Sequence, residues 1–252
     1  QRFYPFLFVF LWSTGFIGAK YGLPYAEPLS FLLTRYGFVI ALMTAIALAT
    51  RAPWPKEPKQ WLHIGVSGVL VHAIYLGGVF VAIKHGLPAG ITALVVGMQP
   101  LLTAFGAGWL LGEKVSGRQW GGLALGFVGV GLVVSGKLGD GALGPMLIPA
   151  LIALLGITVG TLYQKRFCAK FDLRTGSVIQ FVPTAVLTAI AVALYEDYKI
   201  EWTGQFAFAL DLALTGDAAA AEKAWAKAME AAPESECREY FVNKITATLA
   251  LS

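Results

Sequence analysis

The side chains of this chain that could do chemistry are the few polar ones set inside long apolar runs. Arg35 lies about 10 Å into the run that begins at Pro28, counting ~1.5 Å of rise per residue. A guanidinium at that depth must find acceptors, and a bound carboxylate or phosphate would supply them. Backbone carbonyls, or snorkelling of the side chain toward the surface, would serve equally. His72 sits centrally in another run, with Tyr75 one turn on and on the same face. Its near-neutral pKa suits a proton relay, and a neutral imidazole hydrogen-bonded across helices is the alternative. Gln99 is central in a further run beside Pro100, and Trp12 and Ser13 lie near the centre of the first. Trp12, Tyr75 and Tyr163 would wall a bound molecule or simply pack. Several runs therefore bring polar or aromatic groups to similar depth, where such groups are costly and a midplane site would need them.

Other chemistries find no support. The chain has no His-Glu-x-x-His, no phosphate-cradling glycine loop ending in Lys-Ser/Thr and no Gly-x-Ser-x-Gly. His63, His72 and His85 are too widely spaced for a local metal cluster, and no paired carboxylates occur inside the runs. This points away from an enzyme, with no metal and no cofactor expected. Cys168 and Cys237 lack metal-ligand spacing, fall on opposite expected faces, and read as free thiols.

The elements that must position these residues are apolar runs over about Tyr4–Gly22, Pro28–Thr50, Trp61–Ile83, Pro88–Gly112, Arg118–Gly136, Gly144–Tyr163 and Thr175–Tyr195. Each approaches the ~20 residues that a helix needs to cross a ~30 Å hydrocarbon core. Lipid offers the backbone no hydrogen-bonding partner, so each run should be an α-helix. The expected fold is an all-α polytopic membrane protein of about seven transmembrane helices. A hydrophobic fraction of 57%, a charged fraction of 13% and a mean hydropathy of +0.67 agree with that class. No secretory signal is apparent, because the first run leads directly to Lys20 and a second span.

Charge marks sidedness rather than an acidic partner. Residues 1–201 hold 15 Lys/Arg against 8 Asp/Glu, while residues 202–252 hold 4 against 7. Alternate loops carry ten basic residues (Arg2; Arg51, Lys56, Lys59; Lys114, Arg118; Lys165, Arg166, Lys170, Arg174) against four (Lys20, Lys84, Lys137, Lys199). Basic residues stay cytoplasmic, so the N-terminus should be inside and residue 202 onward outside. No nucleic acid partner is implied. Glu113, beside Lys114 and Arg118, reads as an interfacial ion pair.

An internal repeat adds organisation. Thr44-Ala-Ile-Ala-Leu-Ala49 recurs as Thr188-Ala-Ile-Ala-Val-Ala193, and Gly15 of the first run has a counterpart in Gly156 of the sixth. Runs six and seven thus restart runs one and two. A five-helix unit has an odd count, so its second copy is inverted and a binding site would lie between the halves. Gly122-x-x-x-Gly126 and Gly156-x-x-x-Gly160 read as close packing between helices or protomers.

Specific motifs sharpen this. Phe10-Leu-Trp-Ser-Thr-Gly-Phe-Ile-Gly-Ala-Lys20 and Pro28-Leu-Ser-Phe-Leu-Leu-Thr-Arg-Tyr36 come first. Ala89-Gly-Ile-Thr-Ala-Leu, Gln99-Pro100, Trp109-Leu-Leu-Gly-Glu113, then Gln119 with Gly122, Gly126 and Gly129 follow in order. Over residues 4–198 this resembles the EamA-type drug/metabolite transporter superfamily. The resemblance implies a ten-helix fold, alternating access and small-metabolite or drug substrates, with export from the inner membrane as the expected direction. It also implies domains at 1–139 (a five-helix repeat) and 140–201 (two helices of a second repeat, where the family has five).

Residues 202–252 form a third region, acidic and helical in pattern. Phe206-Ala-Phe-Ala-Leu210 begins like an eighth span and Asp211 interrupts it. Gly216, Ala221, Trp225, Ala228 and Pro233 follow the spacing of a tetratricopeptide repeat. The leading expectation is a secondary transporter with the lipid bilayer and a small-molecule substrate as partners, and a homodimer as one way of completing the path. Arg35, Trp12, Ser13, His72, Tyr75, Gln99 and Tyr163 would line its site. The alternative is a non-transporting membrane protein whose tail binds a partner.

Overall fold

A computed structural model describes residues 15–110, 116–138, 144–168 and 171–214. Trp12, Ser13, Glu113, Cys237 and the tetratricopeptide-like tail lie outside those residues. The described chain runs through α1 (15–22), α2 (Pro28–Ala49), α3 (Pro58–Gly68), a π-helix (Val69–Ile74), α4 (Tyr75–Lys84), α5 (Ala89–Val96) and α6 (Gln99–Leu110). It continues through α7 (Gly117–Leu138), α8 (Gly144–Phe167), α9 (Leu173–Tyr195) and α10 (Gly204–Leu214). Among the described residues there is no strand, only the antiparallel bridge between Ala26 and Ile200. The protein is an all-α polytopic membrane protein, as its composition requires.

Among the described residues, five stretches are long and apolar enough to cross a membrane: Pro28–Ala49, Pro58–Lys84, Ala89–Gly108, Pro145–Phe167 and Leu173–Tyr195. They correspond to the second, third, fourth, sixth and seventh apolar runs. The fifth run is helical over the 22 residues of α7, and most of the first lies outside the described residues. Helix ends follow local chemistry. Pro28 and Pro58 open α2 and α3, where the missing amide costs nothing. Gly86, at φ +100°, closes α4 as the Leu87 amide donates back to the Ala82 carbonyl at 3.0 Å. Arg51, at φ 49°, takes the same position after α2, with the Ala52 amide reaching the Ala47 carbonyl at 2.8 Å. Several hydroxyls inside the spans bond within their own helices: Thr158, Thr184 and Ser177 each donate to the carbonyl four residues back, which keeps those donors satisfied away from water.

Association inside lipid gains little from hydrophobicity and depends on close packing. α2 and α9 run antiparallel: residues 29 and 30 meet Glu196 at one end, and Pro53 meets Thr175 at the other. Gly156 and Gly160 of α8 let the π-helix approach, with a Cβ at Gly156 falling 2.7 Å from the Ile74 side chain and one at Gly160 falling 2.7 Å from that of Val71. Gly78 of α4 sits equally close against the Pro149 carbonyl of α8. The other expected glycine pair behaves differently. Gly126 faces Leu101, but a Cβ at Gly122 would meet nothing within 4 Å.

The main core is aromatic. Phe31 of α2, fully buried, lies 5.1 Å from the Phe80 ring of α4 and 5.4 Å from the Phe206 ring of α10. Phe206, Ala209, Leu210 and Ala213 all join that core, and Gly18 of α1 abuts the Ala209 carbonyl. The stretch that begins like an eighth span is therefore packed onto α1 and α2, and Asp211 points out from the exposed side of α10.

Candidate substrate site

Two of the five long stretches are not continuous α-helices, and both are irregular near their middles. In the third run the chain widens into the π-helix at Val69–Ile74, where the Tyr75 amide reaches back five residues to the Leu70 carbonyl. In the fourth run α5 stops at Val96, turns through Gly97 and Met98, and restarts at Gln99. Pro100 has no amide to offer the Val96 carbonyl, which is why the helix breaks where the Gln-Pro pair sits. Irregular backbone at membrane depth is tolerated only where protein or a polar cavity covers it.

The π-helix carries His72, and its neighbours come from α2 and α9. Tyr36, fully buried, donates its hydroxyl hydrogen to the His72 carbonyl at 2.8 Å. A side chain from another helix thus takes up a carbonyl in the widened turn. The His72 ring stacks on Phe181 of α9 with centroids 4.1 Å apart and planes 24° apart. Phe181 also lies 5.5 Å from the Tyr36 ring. Tyr75 follows in the same core, directly after the π-helix and buried. Arg35 precedes Tyr36 in α2 and is only 2% exposed. Its guanidinium is thus held inside the span, one residue before Tyr36.

Gln99 is held by a different partner. Its Nε2 donates to Thr161 Oγ1 of α8 at 3.2 Å, and Thr161 in turn donates to the Ile157 carbonyl. The adjacent face of α8, through Gly156 and Gly160, presses on the π-helix. The two irregular segments thus bear on neighbouring faces of one helix.

Tyr163 is placed apart from this junction. Its hydroxyl and His63 Nδ1 share a hydrogen bond of 2.7 Å. Phe167 stacks on His63 at 4.9 Å and 9°. His63 and His72 are nine residues apart on one helical stretch, about 13 Å at 1.5 Å per residue. The structure therefore places His72 against Tyr36 and Phe181 in the core that also holds Tyr75, buries Arg35 one residue before Tyr36, ties Gln99 to α8, and sets Tyr163 in a second cluster nearer the helix ends.

Sequence reasoning missed Tyr36, Phe181, Thr161 and the π-helix. Tyr36 carried a signal, since it follows Arg35 directly. The π-helix carried none, because Val-Leu-Val-His-Ala-Ile contains no breaker. Below the junction, Cys168 is buried against Ile64 and Ile179. Burial pushes its thiol pKa up, with a hydrogen bond to Ser67 partly opposing that shift. Among the described residues no three His, Cys, Asp or Glu side chains gather as a metal site.

A bundle of long apolar helices, two of them irregular near mid-span and another carrying a buried arginine, defines a multi-pass membrane protein. The EamA-like transporter family model matches residues 3–135, more than half of the chain, and the chain belongs to that family. The "Probable amino-acid metabolite efflux pump" of Escherichia coli K12 is 30% identical over 163 residues, covering 64% of this chain and 52% of its own. The "Uncharacterized transporter YvbV" of Bacillus subtilis 168 is 26% identical over 201 residues, covering 79% of this chain and 65% of its own. The "Uncharacterized inner membrane transporter YedA" of Escherichia coli K12 is 27% identical, covering 72% of this chain and 58% of its own. The chain thus spans between about half and two thirds of the length of these relatives. A solved crystal structure shares the fold, with a TM-score of 0.60 at 20% identity, covering 98% of this chain and 94% of the other.

Proposed function

We propose that this chain works in the inner membrane as an alternating-access secondary transporter that exports small polar metabolites. The observation that carries this reading is the pairing of two mid-span irregularities, Val69–Ile74 and Gly97–Met98, with a buried cation beside one of them. Transporter sites are built at such broken helices near the bilayer midplane. Arg35 would receive the anionic group of the substrate, a carboxylate or phosphate. His72, Tyr75 and Gln99 would offer polar contacts, with Trp12, Ser13 and Tyr163 as further lining. The acidic residues before Trp202 all fall outside the interiors of the apolar runs. No carboxylate is therefore set there to balance a cationic substrate, and anions are favoured.

The antiparallel packing of α2 on α9 supports the inverted-repeat reading. These are the two helices that carry Thr44–Ala49 and Thr188–Ala193. The division at 139 and 201, the cytoplasmic N-terminus and the completion of the path by a second copy belong to the same proposal.

The test is flux. Purified protein in liposomes under an imposed proton gradient is screened against amino acids, sugars and organic anions, with Arg35→Ala as the control. Saturable flux that the substitution abolishes is the expected result. A folded protein that moves none of these compounds overturns the reading.

A further inference from the structure

At one end of the bundle the carboxylates are used in an unexpected way. The first amides of a helix lack partners inside it and are usually capped by a neighbouring side chain. Glu27, the residue in place to cap α2, makes no such bond. Its carboxylate pairs with Lys84 of α4 at 3.1 Å, and Lys84 also donates to the Leu23 carbonyl at 3.3 Å. The cap arrives from the far end of α9 instead. Glu196 Oε1 accepts the Leu29 amide at 2.9 Å, and Oε2 accepts both the Ser30 amide and the Ser30 hydroxyl at 2.9 Å. The chain beyond it reinforces the tie: Tyr198 and Thr34 share a hydrogen bond of 2.8 Å, and the Glu201 amide donates to the Tyr25 carbonyl at 2.9 Å.

The opposite end of the same helix pair is built differently. There α9 is capped locally, by its own Asp172 accepting the Arg174 amide at 2.9 Å. The tie between α9 and the end of α2 is the Thr175 hydroxyl donating to the Pro53 carbonyl at 2.9 Å. Between the two ends, Gly68 lets α3 lie directly on the backbone of Gln180, and Gln180 Nε2 donates to Ser67 Oγ at 3.0 Å. This close backbone contact lies along α9 between its two ends, where it would serve as a fulcrum about which α9 rocks. The ties at the Glu196 end are hydrogen bonds to a carboxylate at a helix terminus, flanked by the Tyr198–Thr34 and Glu201–Tyr25 bonds, and water can replace all of them.

We propose that Glu196 is the latch of a gate at this end of the path: its carboxylate, holding the first turn of α2, closes that end in the state seen here. The latch rests on the transporter reading above. It is released when α9 rocks about Gly68, and water then takes over both the carboxylate and the Leu29 and Ser30 amides. No covalent step is involved. Glu196 is a positioning residue that acts through α2 and touches no substrate.

The experiment reads accessibility by side. Cys168→Ala and Cys237→Ser remove the native thiols from the full chain, and Thr161→Cys places a reporter beside Gln99. The protein is reconstituted in vesicles of both orientations and labelled with an anionic, membrane-impermeant methanethiosulfonate. Glu196→Gln keeps the size of the side chain but loses its charge. The expected result is labelling about tenfold faster from the Glu196 side, the factor that a charge-assisted contact is able to supply, and slower labelling from the opposite side. Ser30→Ala and Tyr198→Phe should shift labelling in the same direction by less, and they carry the test if Glu196→Gln does not fold. Equal acceleration from both sides, which is general loosening, overturns the latch, and so does no change. The two failures separate cleanly. Labelling that ignores Glu196 in a protein that transports overturns the latch alone, while absence of flux for every compound overturns the transporter reading.

Discussion

Glu196 and Ser30 stand 166 residues apart in the chain and share two hydrogen bonds of 2.9 Å, one through the Ser30 amide and one through its hydroxyl. The C-terminal end of one membrane helix thus supplies the N-terminal cap of another. Replacing Glu196 by Ala should destabilise the folded protein by about 2 kcal/mol, the scale of a lost cap with charge-assisted bonds. Glu196→Gln should cost less, because one acceptor remains. Thermal unfolding of the purified variants in a fixed detergent checks both, and an unchanged midpoint for Glu196→Ala would count against the cap.

The π-helix is one residue longer than the α-helical path between its ends, so it can be removed by deletion. Deleting Ala73 should let residues 69–75 close as α-helix while α3 and α4 keep their packing. His72 would then lose its stack on Phe181, and its carbonyl would return to the helix and leave the Tyr36 hydroxyl. The expected outcome is unchanged helix content by circular dichroism with flux lost. Retained flux would show that the widened turn is dispensable.

Two glycine motifs that look alike in sequence should differ sharply. Gly156→Ala forces its Cβ to within 2.7 Å of Ile74 and 3.2 Å of the Leu70 carbonyl. Overpacking of that kind costs about 1–3 kcal/mol. Gly122→Ala meets nothing within 4 Å and should be neutral or slightly stabilising. Melting curves of the two single variants measured side by side decide the matter.

Asp172 lies at the entrance to α9, outside the membrane span. Burial raises its pKa, but the hydrogen bonds and charge of Arg174 lower it by more, and the net shift is downward. Arg174 Nη2 meets Oδ2 at 2.7 Å. A depressed carboxylate contributes stability that is present above its unfolded pKa, about 3.9, and is lost as pH falls through the lower folded value. The wild type should therefore melt above Asp172→Asn at neutral pH, and the gap should narrow as the solution is acidified below about pH 4. A gap that stays constant across that range would mean that the pair contributes nothing through its charge.

The amino-acid sequence by itself determined the solvent, the helices and the family. Membrane insertion is a sum over consecutive residues, and a backbone in lipid must bond within its own segment, so runs such as Pro28–Thr50 and Thr175–Tyr195 could be read locally and are found as α2 and α9. The place of Arg35 within α2 followed from counting along one run, whereas the stop of α5 at Val96 and restart at Gln99 were visible only in the structure. Only the tertiary structure decided what these residues meet. Tyr36 finds the carbonyl of His72, Gln99 goes to Thr161, Tyr163 to His63 and Glu196 to Ser30. Each pairing depends on which helices are neighbours and how each is rotated about its axis. A helix uniformly apolar around its circumference carries no stripe to set that rotation. It is set by where glycines such as Gly68, Gly156 and Gly160 let backbones close on each other, a property of two surfaces at once that one run of sequence does not contain.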